Sequence, residues 1–287
     1  MPRALSLFLL LTLAACARFG VDGPTAHGDS GDAWAEASAE RRGQVTVLYV
    51  PAEGFAYRDA SGALTGVTAD LMRAFEAWVA EEQGVALATA FVEEPDWRTF
   101  YGRVRDAEGG VFGIGNVTIT EARRAEIAFS PPYLHNVAVL ITPAAVPEIT
   151  PADAPAGGLA GLDALAFEGT LHEDRLRAFR QRHAPEAPLA FANSNAAILD
   201  RVAAGEAFAY VDGYNFWRAE AEGVPVRRHP AFDDAAETFG VILPLGSDWA
   251  EPLAAFVAEY RASEAYEASL RRHLGDRVAE VLLEAAR

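Results

Sequence analysis

The chain has 287 residues, 51% of them hydrophobic and 23% charged, which fits a packed globular protein and excludes a disordered one. Its net charge is −17, with 41 acidic residues against 24 basic ones, all of the latter arginine. A surface of that sign excludes nucleic acid as a partner.

In chain order, the first feature is a leader. Arg3 precedes an apolar run from Leu5 to Leu13, and Leu13-Ala14-Ala15-Cys16 closes it around the chain's single cysteine. A basic start, a short apolar segment and small residues before a cut make a secretory signal. The run is too short to span a bilayer. Cleavage before Cys16 would expose its thiol for acylation, so residues 1–15 read as a lipoprotein signal peptide and Cys16 as the lipidation site. Residues 16–43, rich in Ala, Gly, Ser, Asp and Glu without an apolar period, read as the lipidated cysteine and a flexible spacer.

Beyond the spacer, short apolar runs alternate with amphipathic segments. Val45 to Val50 reads as a buried strand, and Asp70 to Ala80 as a helix with Leu71, Phe75, Trp78 and Val79 on one face. Further strands are expected at Val111 to Gly115, Ala164 to Phe167, Phe208 to Val211 and Phe239 to Leu243. A helix from about Glu173 to His183 opens on acids and closes on Arg180, Arg182 and His183, matching its macrodipole. Leu253, Phe256, Val257 and Tyr260 recur at helical spacing, and a last helix covers roughly Asp276 to Ala286. Strands alternating with helices indicate an α/β fold, and the length favours two lobes.

Thr118-Ile119-Thr120-Glu121-Ala122-Arg123, followed by Ile127-Ala128-Phe129-Ser130-Pro131-Pro132-Tyr133, resembles the signature of the family 3 extracellular solute-binding proteins, the polar amino-acid binders of ABC importers. The stretch Phe55 to Leu71 resembles that family's first strand, loop and helix, Phe167-Glu168-Gly169-Thr170 its second-lobe turn, and Gly205 to Asp212 the segment that carries its amine-binding aspartate. The resemblance implies the type II periplasmic-binding-protein fold: two α/β lobes joined by two crossover strands that act as a hinge. Lobe 1 is then expected at residues 44–139 and 242–287 and lobe 2 at 140–241, with crossings near Val137 to Ile141 and Thr238 to Leu243.

In open α/β sheets, ligands sit beyond the carboxyl ends of strands. Phe55, the loop Asn116 to Arg123, Gly169 with Thr170, and Asp212 each follow a strand in this way. Arg123 offers a two-pronged donor for an anion and Thr118 adds a hydroxyl and an amide. Gly169 and Thr170 precede a helix N-terminus, which favours negative charge, while Asp212 suits an ammonium group. The set fits a small zwitterion. Each residue also has a structural alternative: Arg123 a solvated charge, Asp212 a cap before Tyr214, Thr170 a helix cap, Trp97 a core residue. The resemblance places Trp97 as an aromatic wall and Phe55 as an aromatic floor, and picks Arg123 over Arg124 by the Thr-x-x-Arg spacing. Departures from the family pattern are Ala52, where an aromatic is common, Glu53 beside it, and Leu171 followed by His172 in place of a second hydroxyl. The expected ligand-binding set is therefore Phe55, Trp97, Asn116, Thr118, Arg123, Gly169, Thr170, His172 and Asp212.

No cofactor, metal or catalytic residue is expected. Gly113-Ile114-Gly115 lacks a third spaced glycine, His172-Glu173 lacks the metalloprotease partner, and His135, His172, His183, His229 and His273 are scattered. The leading function is a lipid-anchored extracytoplasmic binding protein that delivers a small polar, amino-acid-like solute to ABC permease subunits. It is expected as a monomer on the periplasmic face of a bacterial membrane, the outer membrane in particular. One alternative is an enzyme on the same scaffold, similar to periplasmic cyclohexadienyl dehydratases, with Glu53 or Glu168 as general acid. Another is a sensory or cell-wall-associated binding module; the stretch after the return to lobe 1 is too short for the catalytic domain that would follow it in a lytic transglycosylase.

Overall fold

The computed structural model describes residues 29–151 and 157–285. The leader, Cys16 and the first part of the expected spacer lie outside the described residues. The chain opens with helix α1 (Trp34–Glu40), strand β1 (Arg42–Tyr49), the short ribbon β2 (Tyr57–Arg58) and β3 (Leu64–Thr65), and helix α2 (Val67–Glu82). Strand β4 (Ala86–Glu93), helix α3 (Trp97–Arg105), β5 (Val111–Ile114), the single turn α4 (Glu121–Arg124) and β6 (Ala128–Phe129) follow. A second unit runs through β7 (Leu134–Pro143), β8 (Asp163–Phe167), α5 (Leu171–His183), β9 (Leu189–Ala192), α6 (Asn195–Ala203), β10 (Ala207–Asp212), α7 (Gly213–Ala221), β11 (Val226–Arg228) and β12 (Asp234–Phe239). The chain then returns through β13 (Ile242–Leu243) to α8 (Ala250–Arg261), α9 (Glu264–Leu274) and α10 (Asp276–Ala285).

Two sheets result. The first has the order β4-β1-β5-β13-β6, with β1 parallel to β4 and β5. The second has the order β11-β7-β10-β8-β9, with β12 antiparallel on β7. Val45, Val47, Leu48 and Tyr49 of β1 are all buried, as a strand covered on both faces requires. Its helical cover includes α2, whose Leu71, Phe75 and Val79 are buried as the period predicts, at roughly 1.5–3 kcal/mol for each large side chain. Phe75 meets Phe112 at 5.8 Å and Trp249 at 6.1 Å between ring centres, so residues from both ends of the chain share one core.

The spacer expectation is corrected for residues 29–43. Trp249 donates from its indole nitrogen to Asp32 O at 2.8 Å, and Trp34 packs edge-on against Trp249 at 5.0 Å. Asp248 accepts the amides of Trp34 and Ala35 at 2.9 and 3.0 Å, which caps α1 from across the chain. Arg103 binds Asp29. Gly31 runs against Gly110, where a Cβ would stand 2.4 Å from the carbonyl oxygen. Composition hid this docking because it depends on two tryptophans and one acid rather than on an apolar period.

The first passage between the sheets falls at residues 130–133, ahead of the expected Val137 to Ile141, because β7 is paired within the second sheet from Leu134 onward. The return lies at Gly240 and Val241, within the expected window. There the single expected strand Phe239 to Leu243 divides into the end of β12 and β13, one in each sheet. The two passages bind each other: Ser130 N donates to Val241 O at 2.9 Å, Val241 N to Ser130 Oγ at 3.0 Å, and Tyr133 N to Phe239 O at 2.9 Å.

Candidate ligand-binding cleft

The loop after β5 is fixed on the return passage. Ile119 N donates to Thr238 O at 2.8 Å and Gly240 N to Val117 O at 3.1 Å, leaving Thr118 between them. Thr120 then caps α4, its hydroxyl accepting from the Arg123 amide at 3.2 Å. The Thr-x-x-Arg spacing is thus a capping geometry: it places Arg123 at the third helical position, turned inward, while Arg124 is exposed. The Arg123 guanidinium donates to Thr118 O at 2.8 Å and lies over the rings of Trp97 and Tyr101, at 5.7 and 5.6 Å. Burial lowers its pKa from the usual arginine value. Among the described residues it forms no ion pair; Glu237, Glu126 and Asp174 act on it from longer range.

Opposite stands Asp212, the last residue of β10 and 3% exposed. It occupies the position before α7, but its carboxylate makes no capping bond. Instead Oδ2 accepts from Asn116 Nδ2 at 2.7 Å, and Oδ1 from Asn136 Nδ2 at 2.7 Å. His172 Nε2 is 3.2 Å from Oδ1, and Arg175 Nη1 is 3.3 Å from His172 Nδ1. A guanidinium has only donors, so the network assigns Nδ1 as acceptor and puts the proton on Nε2, facing Asp212. Arg175 also pairs with Asp234 at 2.9 Å and with buried Glu237. Burial opposes its charge, but Glu237 and Asp234 outweigh that and raise its pKa. Burial, then the neighbouring Asp212, pushes the Glu237 carboxyl up. Asn136 donates to Glu237 as well, at 2.7 Å, so this acid network stands behind the cleft wall.

Trp97, Asn116, Thr118 and Arg123 from the first unit converge with Thr170, His172 and Asp212 from the second on one small cavity. On the scale where about 10–15 Å³ holds one water, its free space of about 40 Å³ holds a few atoms. Phe167, Leu171 and Asn195 complete its lining. Asn195 was missed because Asn193-Ser194-Asn195 reads as a polar turn; Ser194 caps α6 through the Ala197 amide at 3.2 Å, which turns Asn195 toward the cavity.

Two expected residues do not line it. Phe55 is fully buried, packed against Tyr214 at 4.7 Å and Phe239 at 5.8 Å. Its carbonyl accepts the Thr68 amide and hydroxyl, both at 2.9 Å, so it sets the start of α2. Gly169 takes a positive φ of 77° to make its turn, and its amide is held by Glu173 Oε2 at 2.9 Å. Thr170 lines the cavity, but its hydroxyl donates to Phe167 O at 2.9 Å. Of the acids considered as general acids, Glu168 is exposed away from the cavity and Glu53 is paired with Arg218 at 2.6 Å. Among the described residues no cluster of His, Cys, Asp or Glu could hold a metal, and no helix is long and apolar enough to cross a membrane.

Two sheet-based lobes joined by two paired passages, with charged groups of opposite sign facing across a cleft, define a hinged binding protein. Residues 45–276 match the model of the bacterial extracellular solute-binding proteins, family 3, and the chain belongs to that family. Its fold is similar to that of an ancestral arginine-binding protein bound to glutamine, with a TM-score of 0.63, 17% identity, and coverage of 81% of this chain and 98% of that one. The arginine-, lysine-, histidine-binding protein ArtJ from Geobacillus stearothermophilus gives 0.63, 16%, 81% and 96%. An ancestral amino acid-binding protein, a precursor of cyclohexadienyl dehydratase, gives 0.63, 18%, 80% and 95%. At these identities the likeness shows the fold, the type II two-lobed periplasmic-binding-protein architecture. No curated protein sequence matched.

Proposed function

We propose that this protein captures a small polar, amino-acid-like solute between its lobes and delivers it, as a monomer, to an ABC permease. In this reading Arg123 with Thr118 holds a carboxylate, Asp212 receives an ammonium group, and Trp97, Asn116, Thr170 and His172 shape the head-group pocket. The observation that carries it is the half-buried Arg123 guanidinium, which has no ion-pair partner among the described residues and shares a cavity with buried Asp212. A desolvated cation without a counter-ion is costly, and a ligand carboxylate removes that cost. Cys16 would tether the protein to the periplasmic face of a membrane, the outer membrane where the cell has one.

A dehydratase-like reading has less support. Neither Glu53 nor Glu168 lines the small cavity, and the acid that does, Asp212, already accepts hydrogen bonds from Asn116 and Asn136.

A thermal-shift screen of the purified protein against the amino acids, polyamines and small carboxylates tests the binding reading. A true ligand at a hundred times its dissociation constant adds about 2.7 kcal/mol of stability. No shift with any amino-acid-like compound would overturn it. For the tether, Cys16→Ser should leave an uncleaved precursor or release the protein from the membrane fraction; unchanged processing and retention would refute it.

A further inference from the structure

The charge inside the head-group cavity depends on one side chain. Among the residues that line it, Arg123 and Asp212 carry opposite charges, and His172 can be neutral or cationic. With His172 neutral the lining is balanced, as a zwitterion requires. A cationic His172 beside Asp212 would cancel the carboxylate and leave the cavity net positive, which repels an ammonium group. His172 is 7% exposed, and its Nε2 stands 3.2 Å from Asp212 Oδ1. That contact alone suits either state, because the neutral ring and the imidazolium can both donate from Nε2. The group that decides between them is Arg175.

One turn along α5, Arg175 closes the other side of the ring, with Nη1 3.3 Å from His172 Nδ1. A guanidinium has only donors, so Nδ1 must keep its lone pair. An imidazolium would set an N–H against an N–H and a cation against a cation. Arg175 is not free to turn away. Its Nε and Nη2 donate to Asp234 Oδ2 at 3.3 and 2.9 Å, and Nη2 also pairs with buried Glu237. These acids keep the guanidinium charged, and Nη1 is the arm left for His172. Turning the ring over gives no escape, since it would put carbons in place of both nitrogens at these contacts. The charged and titratable groups that face the pair are Asp212 and Tyr210 from β10, Asp234 and Glu237 from β12 and, across the cavity, Arg123 from α4. On α5 itself, Glu173 is taken by the Gly169 amide and Arg177, and Asp174 acts on Arg123 from longer range.

We propose that Arg175 is a positioning residue for ligand capture: it holds His172 as a neutral Nε2–H donor and so keeps the charge of Asp212 for an ammonium group. This rests on the head-group reading given above. Arg175 is not part of the cavity lining and acts through His172. Asp234 and Glu237 then have a part as the anchors of Arg175. The affinity for a zwitterion becomes insensitive to acid over the range in which an unrestrained histidine in the cavity would make it fall.

Two measurements on the purified protein test this. Heteronuclear NMR of the imidazole nitrogens in the ligand-free protein, with His172 assigned through His172→Gln, should show the neutral Nε2–H tautomer from about pH 8 to about pH 5, the range in which an ordinary imidazole changes charge. A charged ring or an Nδ1–H tautomer at His172 within that range overturns the inference, and this measurement needs no Arg175 variant to fold. The second is calorimetric titration with L-alanine, L-glutamine and L-arginine, which share a zwitterionic head group and differ in side chain. For those that bind, wild-type affinity should change by less than about twofold between about pH 8 and about pH 5, while in Arg175→Leu it should fall by at least about tenfold as the pH drops. Arg175→Gln, whose amide can accept as well as donate, should show the same fall where Arg175→Leu fails to fold. Adding His172→Gln to either variant keeps a neutral donor without a titrating ring and should flatten the profile again. If Arg175 is only structural, its variants weaken binding equally at every pH; if Glu237 is the group that titrates, the fall persists in the double variant. Either result overturns the inference and leaves the head-group reading standing. If these probes and the other free amino acids all fail to bind the wild-type protein, the head-group reading falls and the role given to Arg175 falls with it.

Discussion

Truncating Arg123 to Ala separates ligand recognition from folding. In the free protein the guanidinium is half-buried, bonded to Thr118 O and stacked over Trp97 and Tyr101, with no carboxylate paired to it among the described residues. With a carboxylate ligand in place, the substitution leaves that anion in the cleft with neutral donors only. Loss of one partner of a desolvated charge pair costs on the order of 2–5 kcal/mol, so affinity should fall by roughly thirty-fold to several thousand-fold. The ligand-free protein should behave differently. Removing an uncompensated half-buried charge should leave its melting temperature unchanged or raise it, the pattern of a residue kept for function at the expense of stability. Arg124→Ala is the control: Arg124 is exposed, with Glu121 at 3.9 Å, a contact worth about 0–1 kcal/mol at most. Calorimetric titration of both variants with a ligand from the screen, beside thermal melts without it, gives the answer. Equal affinities in the two variants, or a large loss of ligand-free stability in Arg123→Ala, would refute the reasoning.

Gly31→Val should loosen the N-terminal segment, since its Cβ would collide with Gly110 O; overpacking of this kind costs about 1–3 kcal/mol, read as a lowered melting temperature with ligand affinity retained. His229 is buried and bonded as a neutral ring, Nδ1 accepting from Ile149 N at 3.0 Å and Nε2 donating to Thr142 Oγ1 at 2.8 Å. Burial and then nearby Arg227 lower its pKa from 6.5 to about 4. Its contribution is therefore fully present above pH 6.5 and is lost as pH falls toward 4, up to about 3 kcal/mol. Urea unfolding across that window should show a shallower pH slope in His229→Asn, and identical slopes would refute the assignment. Small-angle scattering should show a smaller radius of gyration with ligand than without it, because the contacts proposed for the ligand lie on both lobes; no change would mean that the ligand touches one lobe or that the lobes are already locked.

The parts of the fold legible in the sequence are those with strong local patterns. Strands β1, β5, β8 and β10 are apolar runs bounded by turn residues, and α2 and α5 carry a helical period or a charge bias that fits the macrodipole. Strand β4, an edge strand with half-buried Ala and Thr, has no such pattern and was not anticipated. Helix α7 begins on Gly213 and a cluster of aromatics, which masks its period. Thr120 and Arg123 could be paired because a cap and the residue it fixes are close in sequence. Phe55 could not be placed from local pattern, since an aromatic after a strand can line a cleft or pack behind it. Tyr214 and Phe239, far along the chain, decide that it packs behind. Asn136 and Glu237 escaped notice for the same reason: Asn136 bridges Glu237 to Asp212, and the three meet only through the pairing of β7 with β10 and β12.

The two charged ends of the site are not equivalent. Asp212 already has three donors, from Asn116, Asn136 and His172, and the Asn116 bond joins the lobes before any ligand arrives. A ligand ammonium must displace at least one of these, so it exchanges one hydrogen bond for a charge-assisted one and gains only the difference. Arg123 gives only one bond, to Thr118 O, and a guanidinium has five N–H donors, so a carboxylate can pair with the others without displacing it and gains the full charge pairing. The anionic end of the ligand should therefore supply most of the affinity, and the cationic end most of the discrimination. Two analogues of a confirmed ligand separate these terms: the deaminated acid should retain measurable binding, and the decarboxylated amine should bind at least about tenfold more weakly than that acid, a difference of roughly 1.4 kcal/mol. Titration of both analogues against the wild-type protein measures it. If the amine binds as tightly as the acid, Asp212 rather than Arg123 dominates the site, and the guanidinium is held by Thr118 and the two aromatic rings for structural reasons alone.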